Sequence, residues 1–374
     1  MKRIGINTRL LIKDKLDGIG WYQYEVLKRI THNHPEHQFF FFFDRAYDDE
    51  FVFADNVTPI VLKPQARHPI LFKIWFNKSI KKALKKYEID VFFSPDGYLS
   101  LTTDVKQVGT IHDLNFEHFP EDLKPIHTNY YKSQFPKFAK KADHVITVSN
   151  FSKTDITNRY DVEWDKLTVV YNGVNENYKV IAPAHQVKVR EKFSAGENYF
   201  IHVGSLGPRK NITRLMEAFS EFKKESQSNT KLLLVGSKFL WTDEMENTFQ
   251  NSPYKSDIEI VGRVSQIELE QLVGSALALT YVSYFEGFGM PILEAMRAGV
   301  PVITSDITSI PEVADEAALL IDPYKIEEIA KAMHEVETKP ELRRDLITKG
   351  NLQVQKFSWT KCASETWDVI AKQL

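Results

Sequence analysis

The sequence predicts an α/β fold of two doubly wound units, each a parallel sheet covered by helices on both faces. Three observations predict it. The chain has 374 residues, about twice the length of an ordinary single domain. Short apolar runs alternate with longer amphipathic ones, the pattern of successive β-α-β connections. The alternation then restarts after Val180, beyond a polar stretch.

In the first unit, Arg3 to Ile6 reads as a strand. A glycine-bearing loop from Asp17 to Gly20 and a helix from Trp21 to Thr31 follow. Phe39 to Phe43 is an unbroken run of phenylalanine with the length of a buried strand. Val57 to Leu62 is the next strand and Ile70 to Tyr87 a helix. Val91 to Ser94, Gln107 to Ile111 and His144 to Val148 complete the strands, with helical segments between. Strands this apolar on both faces belong in parallel sheets. Residues 181–196 read as a polar linker containing Pro183. In the second unit Tyr199 to Val203 is a strand and Asn211 to Glu225 a helix. Lys231 to Val235, Ile258 to Val261, Leu277 to Tyr281, Val300 to Thr304 and Ala318 to Ile321 read as further strands. The expected division is 1–180, 197–357, and a separate helical stretch at 358–374.

Composition narrows the function. A net charge of -2 argues against a nucleic-acid binder. The single cysteine, Cys362, excludes an intrachain disulfide and a cysteine-based zinc site and fits a reducing cytoplasm. Met1 to Asn7 is too short for a secretory apolar core. No run of about 18 apolar residues exists to span a membrane.

The strongest local signal is S-Y-F-E-G-F-G-M-P-I-L-E-A-M-R-A-G, from Ser283 to Gly299. Gly287 and Gly289 permit tight turns and close ligand approach. Pro291 suits the first turn of a helix that Gly299 ends. Such a helix points backbone amides at the loop before it, which suits a diphosphate or sugar oxygens. Glu286 and Glu294 bracket the turn, and carboxylates accept paired hydrogen bonds from sugar hydroxyls. The plainer reading is a glycine-rich connection with a capping glutamate, and the local physics alone leaves both open. Arg209 and Lys210 sit in a strand-to-helix turn. They suit a diphosphate and the charge on its leaving group, or else form a solvated basic turn.

The first unit offers smaller signals. The amides of Gly18 and Gly20 can close over a phosphate, or the pair can form a plain tight turn. His112 and Asp113 follow a strand at the edge where parallel sheets bind ligands. There His112 can donate to a sugar hydroxyl while Asp113 fixes its ring. The alternative is a satisfied structural histidine. Ser149 reads as a helix cap for the segment from Phe151. On the Ile70–Tyr87 helix, Phe76, Ile80, Ala83, Leu84 and Tyr87 share a face, while Lys78, Lys81, Lys82, Lys85 and Lys86 crowd the rest. That helix can lie on an anionic membrane surface or carry an ordinary solvated basic face.

The block from Ser283 to Gly299 resembles the signature of retaining glycosyltransferases of family 4, with E-G-F-G-x-P between its two glutamates. V-G-S-L-G-P-R-K-N at Val203 to Asn211, L-L-V-G at Leu233 to Gly236 and I-V-G-R-V at Ile260 to Val264 fall in the family's order. So do P-V-I-T-S at Pro301 to Ser305, I-P-E-V at Ile310 to Val313 and F-S-W at Phe357 to Trp359. The resemblance covers the C-terminal half. It implies the GT-B fold: two Rossmann-like domains facing a cleft, with the C-terminal helix returning to the N-domain. It implies an N-domain that binds acceptor and a C-domain that binds the nucleotide sugar. By the same resemblance Glu286 contacts the donor sugar and Glu294 the nucleotide ribose. The amides of Phe288, Gly289 and Met290 hold sugar hydroxyls. Arg209, Lys210, Gly18 and Gly20 meet the diphosphate, and His112, Asp113 and Glu286 form the catalytic set. The chain departs from the family at Ser205, where many relatives carry an arginine, which puts more weight on Lys210 and Arg209.

The expected reaction is retaining transfer of a hexose from GDP-mannose or a UDP-sugar to a saccharide or lipid-linked saccharide, in surface polysaccharide synthesis. Trp241 after V-G-S-K tilts the donor toward GDP-mannose by resemblance to mannosyltransferases. No cofactor beyond the substrate nucleotide sugar is expected. No D-x-D motif occurs, so no metal is expected. The protein is expected in the cytoplasm, either free or peripheral on the inner face of the membrane. Two alternatives stand: another GT-B enzyme acting on nucleotide sugars, and a non-catalytic nucleotide-sugar-binding subunit.

Overall fold

The computed structural model describes residues 1–374. They form two compact units, one of residues 1–173 with 357–374 and one of residues 174–356.

The first unit holds β1 (Arg3–Asn7), β2 (Gln38–Phe43), β3 (Val57–Val61), β4 (Val91–Ser94), β5 (Lys106–Thr110), β6 (His144–Thr147) and β7 (Leu167–Val169). The order is β3-β2-β1-β4-β5-β6-β7 and every pairing is parallel. The phenylalanine run is β2, paired in register with β1 from Arg3 opposite Gln38 to Asn7 opposite Phe42. Phe39, Phe41 and Phe42 are fully buried, and each contributes about 2 kcal/mol of apolar burial. β7 is absent from the sequence reading, because three residues carry too little periodicity to register.

The second unit holds β8 (Tyr199–Val203), β9 (Lys231–Val235), β10 (Ile258–Gly262), β11 (Ala278–Tyr281), β12 (Val302–Ser305) and β13 (Leu319–Ile321). Its order is β10-β9-β8-β11-β12-β13, again all parallel. In each sheet the order reverses once, between β1 and β4 and between β8 and β11. Ligands bind outside the carboxyl ends of the strands at such points.

Several elements differ from their expected form. The stretch read as a linker carries a helix, Pro183–Ser194, in the second unit. Proline opens it, and Ala195 ends it in the left-handed conformation. Only Val189 and Ser194 are buried on it, so its sequence looked like solvent-facing chain. Gly18 and Gly20 lie in the first turn of the Gly18–Asn33 helix rather than in a loop. Asp17 caps it, accepting from the Gly20 amide at 3.0 Å. The Ile70–Tyr87 helix is three pieces: Pro69–Ile74, a π-helical turn Trp75–Ile80, and Lys81–Lys86. The wider turn lets Trp75, Phe76 and Ile80 all face inward.

The Trp359–Ala371 helix belongs to the first unit. Ser358 caps it, and Trp367 stacks on His34 with ring centres 4.0 Å apart. Gly173 makes the return of the chain sterically feasible. A Cβ there would lie 2.2 Å from the Trp359 amide nitrogen, closer than any side chain tolerates. No helix is long and apolar enough to cross a membrane.

Candidate active site

The site in the second unit is built from the two loops at its switch point. After β8 the chain turns through Gly204 and a short 3-10 segment, Pro208–Lys210. Asn211 follows in the left-handed conformation and opens the Ile212–Ser226 helix. Asn211 fixes that turn by donating from Nδ2 to the carbonyls of Val282 (3.0 Å) and Pro323 (2.8 Å). After β11 the chain runs through Glu286 to Gly289, which caps the Met290–Arg297 helix at φ +104. A positive φ of that size requires glycine. Pro291 lies in the first turn, so the helix presents its first amides to the loop.

The loops meet through charge. Lys210 Nζ donates to Glu286 Oε1 at 2.5 Å and to the Tyr281 hydroxyl at 2.6 Å. Arg209 lies 3.4 Å from Glu286 Oε2 and donates to the Phe285 carbonyl at 2.6 Å. Lys210 and Glu286 are each only 7% exposed, so the pair is shielded from solvent. Burial pushes the Glu286 carboxyl up, but Lys210 and then Arg209 outweigh it and hold it at about 2. Both cations therefore turn inward, and Glu286 is ionised.

A third segment pins the loop from behind. Ser305 Oγ donates to the Ser283 carbonyl at 2.6 Å, and Ser309 Oγ donates to the Glu286 carbonyl at 2.8 Å. The Glu286 amide reaches Thr308 Oγ1 at 3.3 Å, with Thr308 at φ +61. Glu294 sits one turn into the helix, half-buried. Burial pushes its carboxyl up to about 7, a hydrogen bond with Tyr178 offsets part of the rise, and Glu270 adds to it.

In the first unit His112 follows β5. Its Nε2 donates to the Pro95 carbonyl at 2.8 Å, and its ring meets Tyr22 edge-on at 4.8 Å. A carbonyl only accepts, so the neutral ring carries its proton on Nε2 and offers Nδ1 as an acceptor. Burial lowers its pKa. The proton expected to be donated to a sugar hydroxyl is thus committed to Pro95, and Nδ1 is the ring nitrogen left to accept. Pro95, not Asp113, orients the ring, since Asp113 Oδ1 takes the Asn115 amide at 2.9 Å. The Gly20 amide is likewise committed to Asp17. Ser149 does cap its helix, accepting from the Ser152 amide at 3.0 Å.

Comparison with known proteins gives the family. The model for Glycosyl transferases group 1 matches residues 185–353, and that for Glycosyltransferase Family 4 matches residues 16–178. The chain belongs to glycosyltransferase family 4. It is 27% identical to O-antigen chain mannosyltransferase B of Escherichia coli, over 95% of this chain and 96% of that protein. It is 30% identical to O-antigen chain mannosyltransferase RfbU of Salmonella typhimurium, over 68% and 66% of the two chains. The fold is shared with sucrose-phosphate synthase of Thermosynechococcus elongatus (TM-score 0.80, 18% identity, 100% and 99% covered). It is shared also with Anabaena HepE in complex with UDP and glucose (TM-score 0.76, 16% identity, both chains fully covered). Two Rossmann-like units of parallel sheet make this family 4 glycosyltransferase a GT-B protein.

The structure brings Arg209, Lys210, Glu286 and the Phe288–Met290 turn of the second unit together. Glu294 follows on the Met290–Arg297 helix. His112, Asp113, Gly18 and Gly20 lie in the first unit. Sequence reasoning assigned nothing to Tyr281, Asn211, Ser305, Thr308 or Ser309. P-V-I-T-S and I-P-E-V flank Thr308 and Ser309, but only the folded loop shows that these hydroxyls support Glu286.

Proposed function

We propose that this glycosyltransferase moves a mannosyl residue from GDP-mannose to a saccharide or lipid-linked saccharide in O-antigen-type polysaccharide synthesis, with retained anomeric configuration. The observation that carries the chemistry is the Arg209–Lys210–Glu286 cluster before a helix N-terminus at the sheet's switch point. Two cations and that helix end suit a diphosphate leaving group. Glu286 suits the donor sugar's hydroxyls and Glu294 the ribose. The mannosyl assignment leans on the O-antigen chain mannosyltransferase that aligns with nearly the whole chain.

Retention follows if the acceptor oxygen attacks the anomeric carbon on the face the phosphate leaves. The C–O bond to phosphate breaks as the new glycosidic bond forms, and the acceptor's proton passes to the departing phosphate oxygen. Lys210 and Arg209 offset the charge on that phosphate, so no metal is invoked. Acceptor binding is assigned to the first unit, where His112 Nδ1 accepts from a hydroxyl. The exposed lysines of the first unit fit an anionic membrane that presents a lipid-linked acceptor.

A UDP-sugar donor is the second reading, favoured by the structurally similar HepE, which holds UDP and glucose. A thermal-shift panel of GDP, UDP and their sugars separates the two, because a ligand that binds the folded state raises its melting temperature. GDP-mannose should give the largest shift and be consumed with an α-linked product. Stabilisation by UDP-sugars alone would replace the donor assignment. Stabilisation by none of them would remove the nucleotide-sugar reading.

A further inference from the structure

His202, at the end of β8, belongs to no role assigned above. It is fully buried, and its ring lies nearly parallel to that of Tyr281, 5.9 Å between centres and 15° between planes. Its Nδ1 lies 3.2 Å from the Thr280 carbonyl. That carbonyl can only accept, so Nδ1 carries the proton and Nε2 is left with a lone pair. Nε2 is buried without a hydrogen-bond partner, an unusual state for an acceptor. Burial, then the charge of Lys210, hold the imidazole down at about 4, so it stays neutral.

Gly204 lies beside that nitrogen and beside Lys210. It adopts φ +147, and a Cβ built on it would lie 3.6 Å from His202 Nε2, 3.6 Å from Lys210 Cε and 3.9 Å from Lys210 Nζ. Imidazole and ammonium thus border one methyl-sized space that a side chain at 204 would fill. Lys210 Nζ also lies 4.7 Å from the centre of the Tyr281 ring, the ring on which His202 stacks.

We propose that His202 is a positioning residue for Lys210: Nε2 accepts a hydrogen bond from the ammonium when a donor diphosphate draws Lys210 away from Glu286. This rests on the reading that Lys210 meets the diphosphate. An ammonium has three protons. Turned toward the diphosphate, it can keep the Tyr281 hydroxyl, gain His202 Nε2 and give the third proton to a phosphate oxygen. The stack on Tyr281 holds both acceptors on one rigid wall. Exchange of Lys210 frees Glu286 for the sugar without leaving the ammonium short of partners, so donor binding and the release of Glu286 become one event.

A double-mutant cycle with GDP as the probe, and UDP run beside it, tests this. In His202→Phe the aromatic stack survives and the acceptor is lost. Nucleoside diphosphate affinity should fall about tenfold, the scale of one hydrogen bond to a charged group. In a Lys210→Ala background the same change should cost under about twofold, because its partner is gone. Arg209 stays beside Glu286 in that background, so the carboxylate keeps a cation. GMP affinity should hold within about twofold, since no β-phosphate calls on Lys210, and His202→Gln should restore most of the loss through its carbonyl oxygen. Equal losses in both backgrounds, an equal loss for GMP, or a Gln variant as weak as Phe would each overturn the inference. So would a neutral His202→Phe while Lys210→Ala is impaired, and that result would leave the site reading standing. If Lys210→Ala itself leaves diphosphate affinity unchanged, the role of Lys210 falls and this inference with it.

Discussion

The Lys210 ammonium lies 2.5 Å from the Glu286 carboxylate, with Arg209 3.4 Å from the other carboxylate oxygen. Under the proposed reading donor binding divides this cluster, cations to phosphate and carboxylate to sugar. Glu286→Ala should therefore cut turnover by about a hundredfold or more, on the scale of losing a charged contact made in the transition state. GDP affinity should stay the same or tighten, because Lys210 is released from its carboxylate. Steady-state kinetics and calorimetry on the variant check both halves. Unchanged turnover at saturating donor would remove Glu286 from the chemistry.

Much of the site was legible before folding, and the reasons are local. Glu286 and Glu294 bracket a glycine turn before Pro291, and each residue type there has few alternative uses. Arg209 and Lys210 were legible as a pair, but their inward orientation was not. It depends on Asn211, which reaches carbonyls at 282 and 323, far off in sequence. His112 is singled out by its place after a strand, but the partner that holds its ring is not legible there. The Pro95 carbonyl that holds it, just after β4, reaches it only in the fold. The same limit applies to the elements. Strong strands such as β2 announce themselves, whereas the Pro183–Ser194 helix buries two residues and has almost no pattern to read.

Under the proposed reading, in which Glu294 meets the ribose, nucleotide binding should depend on pH. Its carboxyl sits at about 7 in the folded chain against an ordinary 4.5. A ribose hydroxyl donates to the ionised form, so GDP affinity should rise from pH 6 to pH 8 and become flat in Glu294→Gln. The stability sign runs the other way. A carboxyl raised on folding binds more protons in the native state, so it penalises the fold increasingly from pH 4.5 to 7, and fully above. Glu294→Gln should thus gain melting temperature over the wild type between pH 5 and pH 8. A variant whose advantage does not grow with pH would contradict the assignment.

Charge neutralisation by side chains carries a prediction about metals. Under the proposed reading Lys210, Arg209 and the Met290–Arg297 helix end meet the diphosphate, so transfer should persist in excess EDTA. The measurement is initial rate with and without chelator, followed by added magnesium or manganese. Loss on chelation that either ion restores would assign the diphosphate to a metal.

The lysine-rich segment separates a membrane-docked enzyme from one with a merely solvated face. Phe76, Ile80, Ala83 and Leu84 are buried, while Lys78, Lys81, Lys82, Lys85 and Lys86 are all exposed. The π turn at Trp75–Ile80 adjusts the register without turning any of these lysines inward. Near an anionic leaflet each lysine adds about 1 kcal/mol of attraction, so five can supply several kcal/mol before screening. Co-sedimentation with vesicles should rise with their phosphatidylglycerol content and fall steeply with salt. Replacing Lys78, Lys81, Lys82 and Lys85 by glutamine should abolish it and leave donor hydrolysis intact, since the second unit's site is untouched. Transfer to a lipid-linked acceptor in vesicles should then fall while transfer to a soluble saccharide holds. If the wild type ignores anionic vesicles at low salt, the basic face is an ordinary solvated one and the acceptor reaches the first unit from solution.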